Sequence, residues 1–439
     1  MFSRALAVLL AGCLTACAGP AVAKGRTAGN EAPVIRWIDD HVAEQIEFIE
    51  KTVNINSGTM NLVGVREVGR LYERAFEKLG FETRWVEMPG EMNRAGHLVA
   101  ARKGGSGLRV LLIGHLDTVF ERTSPFQRFE RSGDFASGPG TNDMKGGNAV
   151  ILYALRALEH AGLLADVSVT VVLTGDEEKV GRPTSVARQA LLDAVKVSDV
   201  ALGFEALVDD TNTATIARRS SSSWTLRVEG KQGHSSLIFT EEYGYGAIFE
   251  TARIVDAFRK NLLGEENLTF SAARVVGGTA ISNDKVNARG TASGKTNVIP
   301  QVAEVDGDLR VLTQEQLART EKRMKAIVAN SLPGTRATIR FDHRYPPMAP
   351  TSGNRALLAK LNEVSKDLGY GPIRPVPPSR RGAADISFAA PHIPSLGGLG
   401  TFGTGDHSPD EKMDLRSLPI STKRAALLIY RLSRTSRLE

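Results

Sequence analysis

Acidic and histidine side chains stand at the ends of hydrophobic segments, or in glycine-rich loops, where they could bind cations. They are His115, Asp117, Asp143, Glu177, Glu178, Glu205 and His407. Taken singly, each has an ordinary structural explanation, such as a helix N-cap aspartate or a solvated loop acid. Taken together, such a group of anions repels itself unless cations neutralise it. A set of histidines and carboxylates without cysteine suits zinc, with cobalt or manganese as alternatives.

The first two of these residues have a spacing that suits metal binding. His115 and Asp117 follow the hydrophobic segment LLIG and stand two residues apart. In a strand, residues at this spacing point to the same side. A carboxylate beside an imidazole can hold one ring nitrogen and fix the tautomer whose other nitrogen binds a metal. This spacing also occurs in histidines at ordinary sheet edges, so the pair is informative only within the set.

Hydrophobic patterns indicate the elements that position these residues. Apolar runs such as VLLIG and VTVVL alternate with segments of helical spacing, which predicts an α/β sheet with helices on both faces. In open α/β sheets, sites lie at the carboxyl ends of the strands. Between residues 216 and 346 the order changes to βαββαβ, which predicts a ferredoxin-like unit inserted into the first. The first unit then comprises residues 33–215 and 347–439.

Composition and the N-terminal segment narrow the class of protein. The 55 basic and 49 acidic residues give a net charge of +6 without a basic cluster, so a nucleic-acid partner is not indicated. Residues 1–23 contain Arg4 and an apolar stretch, as an export signal does. Cleavage after Ala23 and lipid attachment at Cys17 are both compatible with this segment. Since Cys13 and Cys17 are the chain's two cysteines, the mature protein has no thiolate ligand. We predict export to the periplasm or the cell surface.

Six motifs, in their order along the chain, resemble one known family. They are GHLDTVF, GPGTNDMKGGNAVIL, DEEKVG, GKQGHSS, NVIP and GTGDHSPDEKMDL. The chain resembles the di-zinc exopeptidase family of carboxypeptidase G, aminoacylase, acetylornithine deacetylase and succinyl-diaminopimelate desuccinylase, with carboxypeptidase G nearest. The resemblance covers nearly the whole chain after the export signal. It implies a zinc-exopeptidase-like α/β catalytic domain with an inserted ferredoxin-like α+β dimerisation, or lid, domain.

The resemblance also implies a role for each ligand. Asp143 would bridge two zinc ions. His115 and Glu205 would complete the coordination of one ion, and Glu178 and His407 that of the other.

The remaining acids receive other roles from the same resemblance. Asp117 would orient His115. Glu177 would be the general base that accepts a proton from a water molecule held by both ions. Asp176, the first of three adjacent acids, is expected to be a solvated loop residue.

Substrate contacts are implied mainly in the inserted unit. His234 would donate a hydrogen bond to the substrate carbonyl or oxyanion, reaching into the site of a partner subunit. Asn297 and Arg310 would bind the free carboxylate of the substrate, and Gly382 would lie beside the substrate. A residue that acts across subunits requires a homodimer formed through the inserted unit.

These implications predict a metal-dependent exopeptidase or amidohydrolase that removes a C-terminal amino acid, of the glutamate type, from a small peptide or N-acyl substrate. An N-acyl-amino-acid deacylase is the alternative. A metal-dependent peptide-binding protein without catalysis belongs to another class, and the presence of Glu177 argues against it. A serine hydrolase is disfavoured, because the chain lacks GxSxG and its SxxK match, Ser282 to Lys285, is expected in a loop.

Overall fold

The computed structural model describes residues 29–285 and 287–438. The predicted export signal, with Cys13, Cys17 and Ala23, lies outside the described residues, so export and lipid attachment stay predictions. Among the helices of the described residues, none combines the length and apolar composition that a bilayer span requires.

The elements of the described residues are as follows. The α-helices are α1 (Ala32–Asp40), α2 (Val42–Val53), α3 (Leu62–Glu77), α4 (Gly146–His160), α5 (Thr184–Ala187), α6 (Gln189–Lys196), α7 (Gly246–Leu262), α8 (Gln314–Ala329), α9 (Ser352–Asp367), α10 (Ile386–Ala389) and α11 (Ser417–Ser433). The strands are β1 (Glu82–Val86), β2 (His97–Arg102), β3 (Val110–His115), β4 (Glu130–Ser132), β5 (Phe135–Ser137), β6 (Val169–Thr174), β7 (Val200–Gly203), β8 (Thr213–Ala214), β9 (Ser221–Gly230), β10 (Thr269–Gly278), β11 (Ala280–Asp284), β12 (Arg289–Ser293), β13 (Val302–Arg310), β14 (Thr335–Tyr345), β15 (Arg374–Pro375), β16 (Ser395–Leu396), β17 (Gly403–Thr404) and β18 (Lys412–Asp414).

The main sheet has the strand order β1-β2-β6-β3-β7-β16. The strands β6, β3, β7 and β16 are parallel neighbours, whereas β2 is antiparallel to β6. Strand β3 is buried on both faces, because Val110 and Leu112 pack into one apolar core and Leu111 and Ile113 into another. Helices α3, α4 and α11 contribute to the first core, and α6 and α10 to the second. The predicted α/β sheet with helices on both faces is therefore confirmed.

A second sheet, with the order β10-β13-β9-β14, is antiparallel throughout. Alternate residues of β9 enter a separate apolar core formed with α7 and α8, in which Trp224 meets Phe258 edge to face at 5.6 Å. This is the predicted βαββαβ order. The structure adds a hairpin, β11–β12, between β10 and β13. The expected loop around Ser282 was therefore wrong, because Ser282 lies in β11.

The two sheets are joined where the chain passes between them twice. The N–H of Arg218 donates to the carbonyl of Met348 at 2.9 Å, and the N–H of Met348 donates to the carbonyl of Arg218 at 3.0 Å. The segments that enter and leave the second unit therefore lie side by side at this crossing.

Candidate active site

The parallel strands of the main sheet bring three predicted metal ligands to one edge. His115 is the last residue of β3, Glu178 follows β6, and Glu205 follows β7. Asp143 lies in the turn Thr141–Lys145 that precedes α4, and its peptide bond to Met144 is cis. His407 lies between β17 and β18, and β18 pairs with β5 just before the Asp143 turn.

Five side chains form two ligand groups that share Asp143. In the first group, His115 Nε2 lies 3.2 Å from Asp143 Oδ1 and 3.7 Å from Glu205 Oε1. In the second group, His407 Nε2 lies 3.0 Å from Asp143 Oδ2 and 3.2 Å from Glu178 Oε2. Within each group the ligand atoms lie within 4.8 Å of one another. Asp143 therefore offers one oxygen to each group, as a bridging ligand does.

Asp117 connects the end of β3 to the loop that follows β6. Its backbone carbonyl lies 3.0 Å from Nδ1 of His115, so Nδ1 carries the proton and Nε2 is left to bind a cation. Its carboxylate accepts hydrogen bonds from the backbone N–H groups of Glu177 at 3.0 Å and Glu178 at 3.1 Å, and from the Thr59 hydroxyl at 2.6 Å. One buried acid thus positions both the histidine and the two glutamates.

Asp176 does not lie in a solvated loop, so that expectation was wrong. Its side chain is fully buried and accepts a hydrogen bond from Arg188 Nη1 at 2.5 Å and another from the Gly181 N–H at 2.8 Å. The Nε of Arg188 donates to Asp385 at 2.7 Å, and Asp385 also accepts from the Thr174 hydroxyl at 2.6 Å. The three adjacent acids therefore diverge, with Asp176 directed into a buried ion pair.

The same buried network holds the backbone of this acidic loop in place. Tyr345 accepts a hydrogen bond from Arg188 and donates one to the carbonyl of Glu177 at 2.9 Å. The Gly175 N–H donates to Nδ1 of His97, so Nε2 of His97 donates to the carbonyl of Ala187. Burial lowers the pKa of His97, in accord with a neutral imidazole. Sequence reasoning missed these residues, because nothing in their spacing links them to the acidic loop.

Glu411 holds the turn that carries Asp143, and the sequence analysis missed it as well. Its carboxylate accepts hydrogen bonds from the N–H groups of Gly140 at 3.1 Å, Asn142 at 2.9 Å and Asp143 at 3.0 Å. Its only signal in the sequence is its place in the motif GTGDHSPDEKMDL, four residues after His407. The loop that carries His407 therefore also fixes the backbone of Asp143, the shared ligand.

The electrostatics of the ligand groups favour cations. Burial raises the pKa of Glu178 to about 7, and burial together with the charge of Asp143 raises the pKa of Glu205. Hydrogen bonds to Asp143 and Glu178 raise the pKa of His407 to about 11. Crowded carboxylates therefore favour positive charge nearby, whether as protons or as metal ions.

The residues present fit two divalent cations. Each group offers one imidazole nitrogen and carboxylate oxygens, which are the usual ligands of zinc in proteins that lack cysteine at the site. Moreover, Oε1 of Glu178 is buried and has no hydrogen-bond partner among the described residues. A cation beside Glu178 would compensate for that unpaired oxygen.

A cleft of about 190 Å³ opens onto the ligand groups. Its lining includes Glu177, Arg218, Arg381, Gly382 and Asp406. Burial, followed by the charge of Glu205, raises the pKa of Glu177 well above its ordinary range, which suits a proton-transfer group. Gly382, one of the predicted substrate residues, lies at the site because it lines this cleft.

The other three predicted substrate residues are not among the residues that line this cleft. His234 follows β9, and the N–H of Ser235 donates to the carbonyl of Asn297 at 2.9 Å, so His234 and Asn297 lie close together. Arg310 ends β13 and pairs with Asp308 at 2.9 Å. The roles of His234, Asn297 and Arg310 stay predictions.

Comparison with curated proteins finds relatives over most of the chain. Carboxypeptidase G2 of Pseudomonas sp. (strain RS-16) is 28% identical over 391 residues, covering 88% of this chain and 88% of that protein. Succinyl-diaminopimelate desuccinylase of Acidiphilium cryptum (strain JF-5) is 26% identical over 372 residues, covering 81% of this chain and 89% of that protein.

Solved structures share the fold. Aminopeptidase PepT of Bacillus cereus has a TM-score of 0.67 at 16% identity, with 89% of this chain and 98% of that chain covered. The YXEP protein of Bacillus subtilis, a dinuclear metal binding peptidase from the M20 family, has a TM-score of 0.64 at 18% identity, with 90% and 99% covered. These similarities confirm the predicted combination of an α/β domain with an inserted unit.

A family model described as Peptidase family M20/M25/M40 matches residues 111–431. The match spans most of the chain and contains each of the five predicted metal ligands. The chain therefore belongs to peptidase family M20/M25/M40 and is a metallopeptidase that hydrolyses amide bonds.

Proposed function

We propose that this protein is a carboxypeptidase that releases a C-terminal amino acid of the glutamate type, using two zinc ions. The observation that carries the proposal is the pair of ligand groups sharing Asp143, with Glu177 in the adjoining cleft. Similarity to carboxypeptidase G2 over 88% of the chain supports the assignment as a carboxypeptidase. Cobalt and manganese are alternative ions for the same ligands.

In this proposal, His115, Glu205, Asp143, Glu178 and His407 hold the cations. Two divalent cations held by these residues would supply Lewis acid chemistry, which lowers the pKa of water and stabilises negative charge that develops on oxygen.

The proton transfers are the work of Glu177. Glu177 accepts a proton from the attacking water and delivers it to the nitrogen of the leaving amino acid, which then departs as an amine. Asp117 keeps Glu177 in place through the hydrogen bond to its backbone N–H. The raised pKa of Glu177 makes it a stronger base toward the attacking water than an ordinary glutamate.

An N-acyl-amino-acid deacylase is the alternative. The similarity to succinyl-diaminopimelate desuccinylases favours it, because those enzymes are named for removing an acyl group from an amino acid derivative.

One experiment tests the proposal and separates the alternatives. We expect purified protein to contain two zinc ions per subunit and to hydrolyse a glutamate-terminated dipeptide faster than acetylglutamate. A chelator should abolish this activity, and added zinc should restore it. Metal content is measured by plasma mass spectrometry and amide hydrolysis by amine release. Full activity with fewer than two ions per subunit would contradict the bridging role of Asp143, and a preference for acetylglutamate would favour the deacylase.

We also propose that two copies of the chain pair through the second sheet. Strand β10 is an edge strand of this sheet, and exposed apolar side chains flank the edge at Ile248, Phe249 and Val275. An unpaired edge strand beside exposed apolar residues is suited to pairing with a second copy.

A complementation experiment tests whether His234 acts across subunits. We expect His234→Ala and Glu177→Gln each to be nearly inactive alone, because one lacks an oxyanion donor and the other a base. Co-refolded mixtures of the two should regain about a quarter of wild-type activity, since half the subunits are in mixed dimers and each mixed dimer has one complete site. Mixing two separately folded dimers without exchange is the control. No recovery after confirmed subunit exchange would contradict the trans-acting role.

A further inference from the structure

Arg218 is a buried cation whose hydrogen-bonding capacity is mostly unused. It is 2% exposed, lines the cleft, and donates from Nη1 to the carbonyl of Gly382 at 2.9 Å. Its Nε and Nη2 atoms are buried and have no hydrogen-bond partner among the described residues. Because an unsatisfied buried guanidinium is costly, its retention in the cleft wall requires an explanation.

A second arginine faces the same cleft. Arg381 lines it, and its Nε is also buried without a partner among the described residues. Burial, followed by the positive charge of Arg381, lowers the pKa of Arg218 to about 9. By contrast, the adjacent Arg380 points elsewhere and pairs with Asp209 at 2.7 Å. Two unpaired guanidinium groups therefore share one cleft, where their like charges repel each other.

The acids that line the cleft are already engaged. Glu178, Glu205 and Asp143 belong to the ligand groups, Glu177 is the proposed base, and Asp406 accepts a hydrogen bond from Asn142 at 2.8 Å. Within the described residues, neither Arg218 nor Arg381 forms an ion pair with a carboxylate. Cations held by the ligand groups would offset the acids further. The free N–H groups of Arg218 and Arg381 are therefore available to an anionic molecule that enters the cleft.

We propose that Arg218 and Arg381 form a carboxylate subsite beside the ligand groups, and that the substrate carries a second carboxylate that binds there. The inference rests on the proposed function and specifies its substrate as an amide with two carboxylates. Guanidinium groups suit this task, because they bind carboxylates through paired N–H donors. The subsite is distinct from the one predicted at Asn297 and Arg310, which do not line this cleft.

The test compares acidic substrates, which carry two carboxylates, with partners of the same shape in which a neutral primary amide replaces the second carboxylate. The two pairs are benzoylglutamate with benzoylglutamine, and succinylalanine with succinamoylalanine, so the second carboxylate lies on either side of the scissile bond. For wild-type protein we expect kcat/KM to favour the acidic member of one pair. Arg381→Gln should reduce kcat/KM for that member by about 10–100-fold and change its neutral partner by less than about 3-fold.

Arg380→Gln is the matched control, since it removes the same charge one residue away and outside the cleft. It should leave both members of each pair within about 2-fold of wild type. If Arg381→Gln lowers the acidic and neutral members equally, or neither of them, the carboxylate subsite is refuted.

Titration calorimetry with glutarate separates this inference from the proposed function. Wild-type protein and Arg380→Gln should bind glutarate, whereas Arg381→Gln should bind it at least about 10-fold more weakly. If wild-type protein hydrolyses no amide, the proposed function fails, but selective loss of glutarate binding in Arg381→Gln would still support the subsite. Equal binding by the three proteins would overturn the subsite even if hydrolysis is observed.

Discussion

Replacing Glu177 with glutamine is expected to lower kcat by about 10²–10⁴-fold, the range that a general base contributes. Glutamine has nearly the same shape, but it cannot accept the proton of the attacking water. Because Glu177 belongs to neither ligand group, the variant should retain the metal content of the wild type. Steady-state hydrolysis and metal analysis on the same preparation measure the two quantities together.

The neighbouring substitution Glu178→Gln is the matched control. Glu178 belongs to the ligand group with Asp143 and His407, so this variant should lose both activity and about one bound ion per subunit. The two variants differ by one position along the chain and remove the same charge. The assignment of base and ligand would be wrong if Glu177→Gln lost metal or retained wild-type turnover.

Arg188→Met is expected to have the largest effect on stability, lowering the free energy of unfolding by about 3–5 kcal/mol. Arg188 is fully buried between Asp176 and Asp385, and its removal leaves two buried carboxylates without a counter-charge. Urea denaturation followed by circular dichroism gives the free energy of unfolding. Metal analysis of the folded variant should also show weaker binding, because the acidic loop loses its anchor.

The surface pair of Arg182 with Asp342 provides the control for this prediction. Both side chains are about half exposed, so Arg182→Met should change the free energy of unfolding by less than about 1 kcal/mol. Combining Arg188→Met with Asp176→Asn and Asp385→Asn should recover part of the lost stability, since no unpaired charge remains. An Arg188→Met protein as stable as the Arg182→Met protein would contradict the proposed importance of the buried ion pairs.

The strands and their ligands could be predicted because two local rules determine them. A strand buried on both faces needs a continuous apolar run, and parallel strands leave the sheet at the same edge. His115, Glu178 and Glu205 follow such runs, and the structure places them together. Asp143 and His407 lie in loops that periodicity does not position, and their assignment to the site depended on the family resemblance.

The supporting network could not be predicted, because its members are far apart in the sequence. Asp385 is separated by 197 residues from Arg188, and Glu411 by 268 residues from the Asp143 N–H that it accepts. Asp176 was misassigned for the same reason, since an acid after a strand is usually solvated unless a distant cation reaches it. The burial of Arg218 likewise depends on how the two units meet, which no local pattern records.

The crossing between the units explains how the catalytic sheet tolerates so large an interruption. The backbone groups of Arg218 and Met348 form hydrogen bonds with each other, so the segments that enter and leave the inserted unit are held side by side. For the catalytic domain, the chain between Arg218 and Met348 is equivalent to one long closed loop. The entropic cost of closing a loop rises only slowly with its length. The inserted unit, with its own apolar core, can therefore vary in size or sequence without disturbing the sheet that holds the metal ligands.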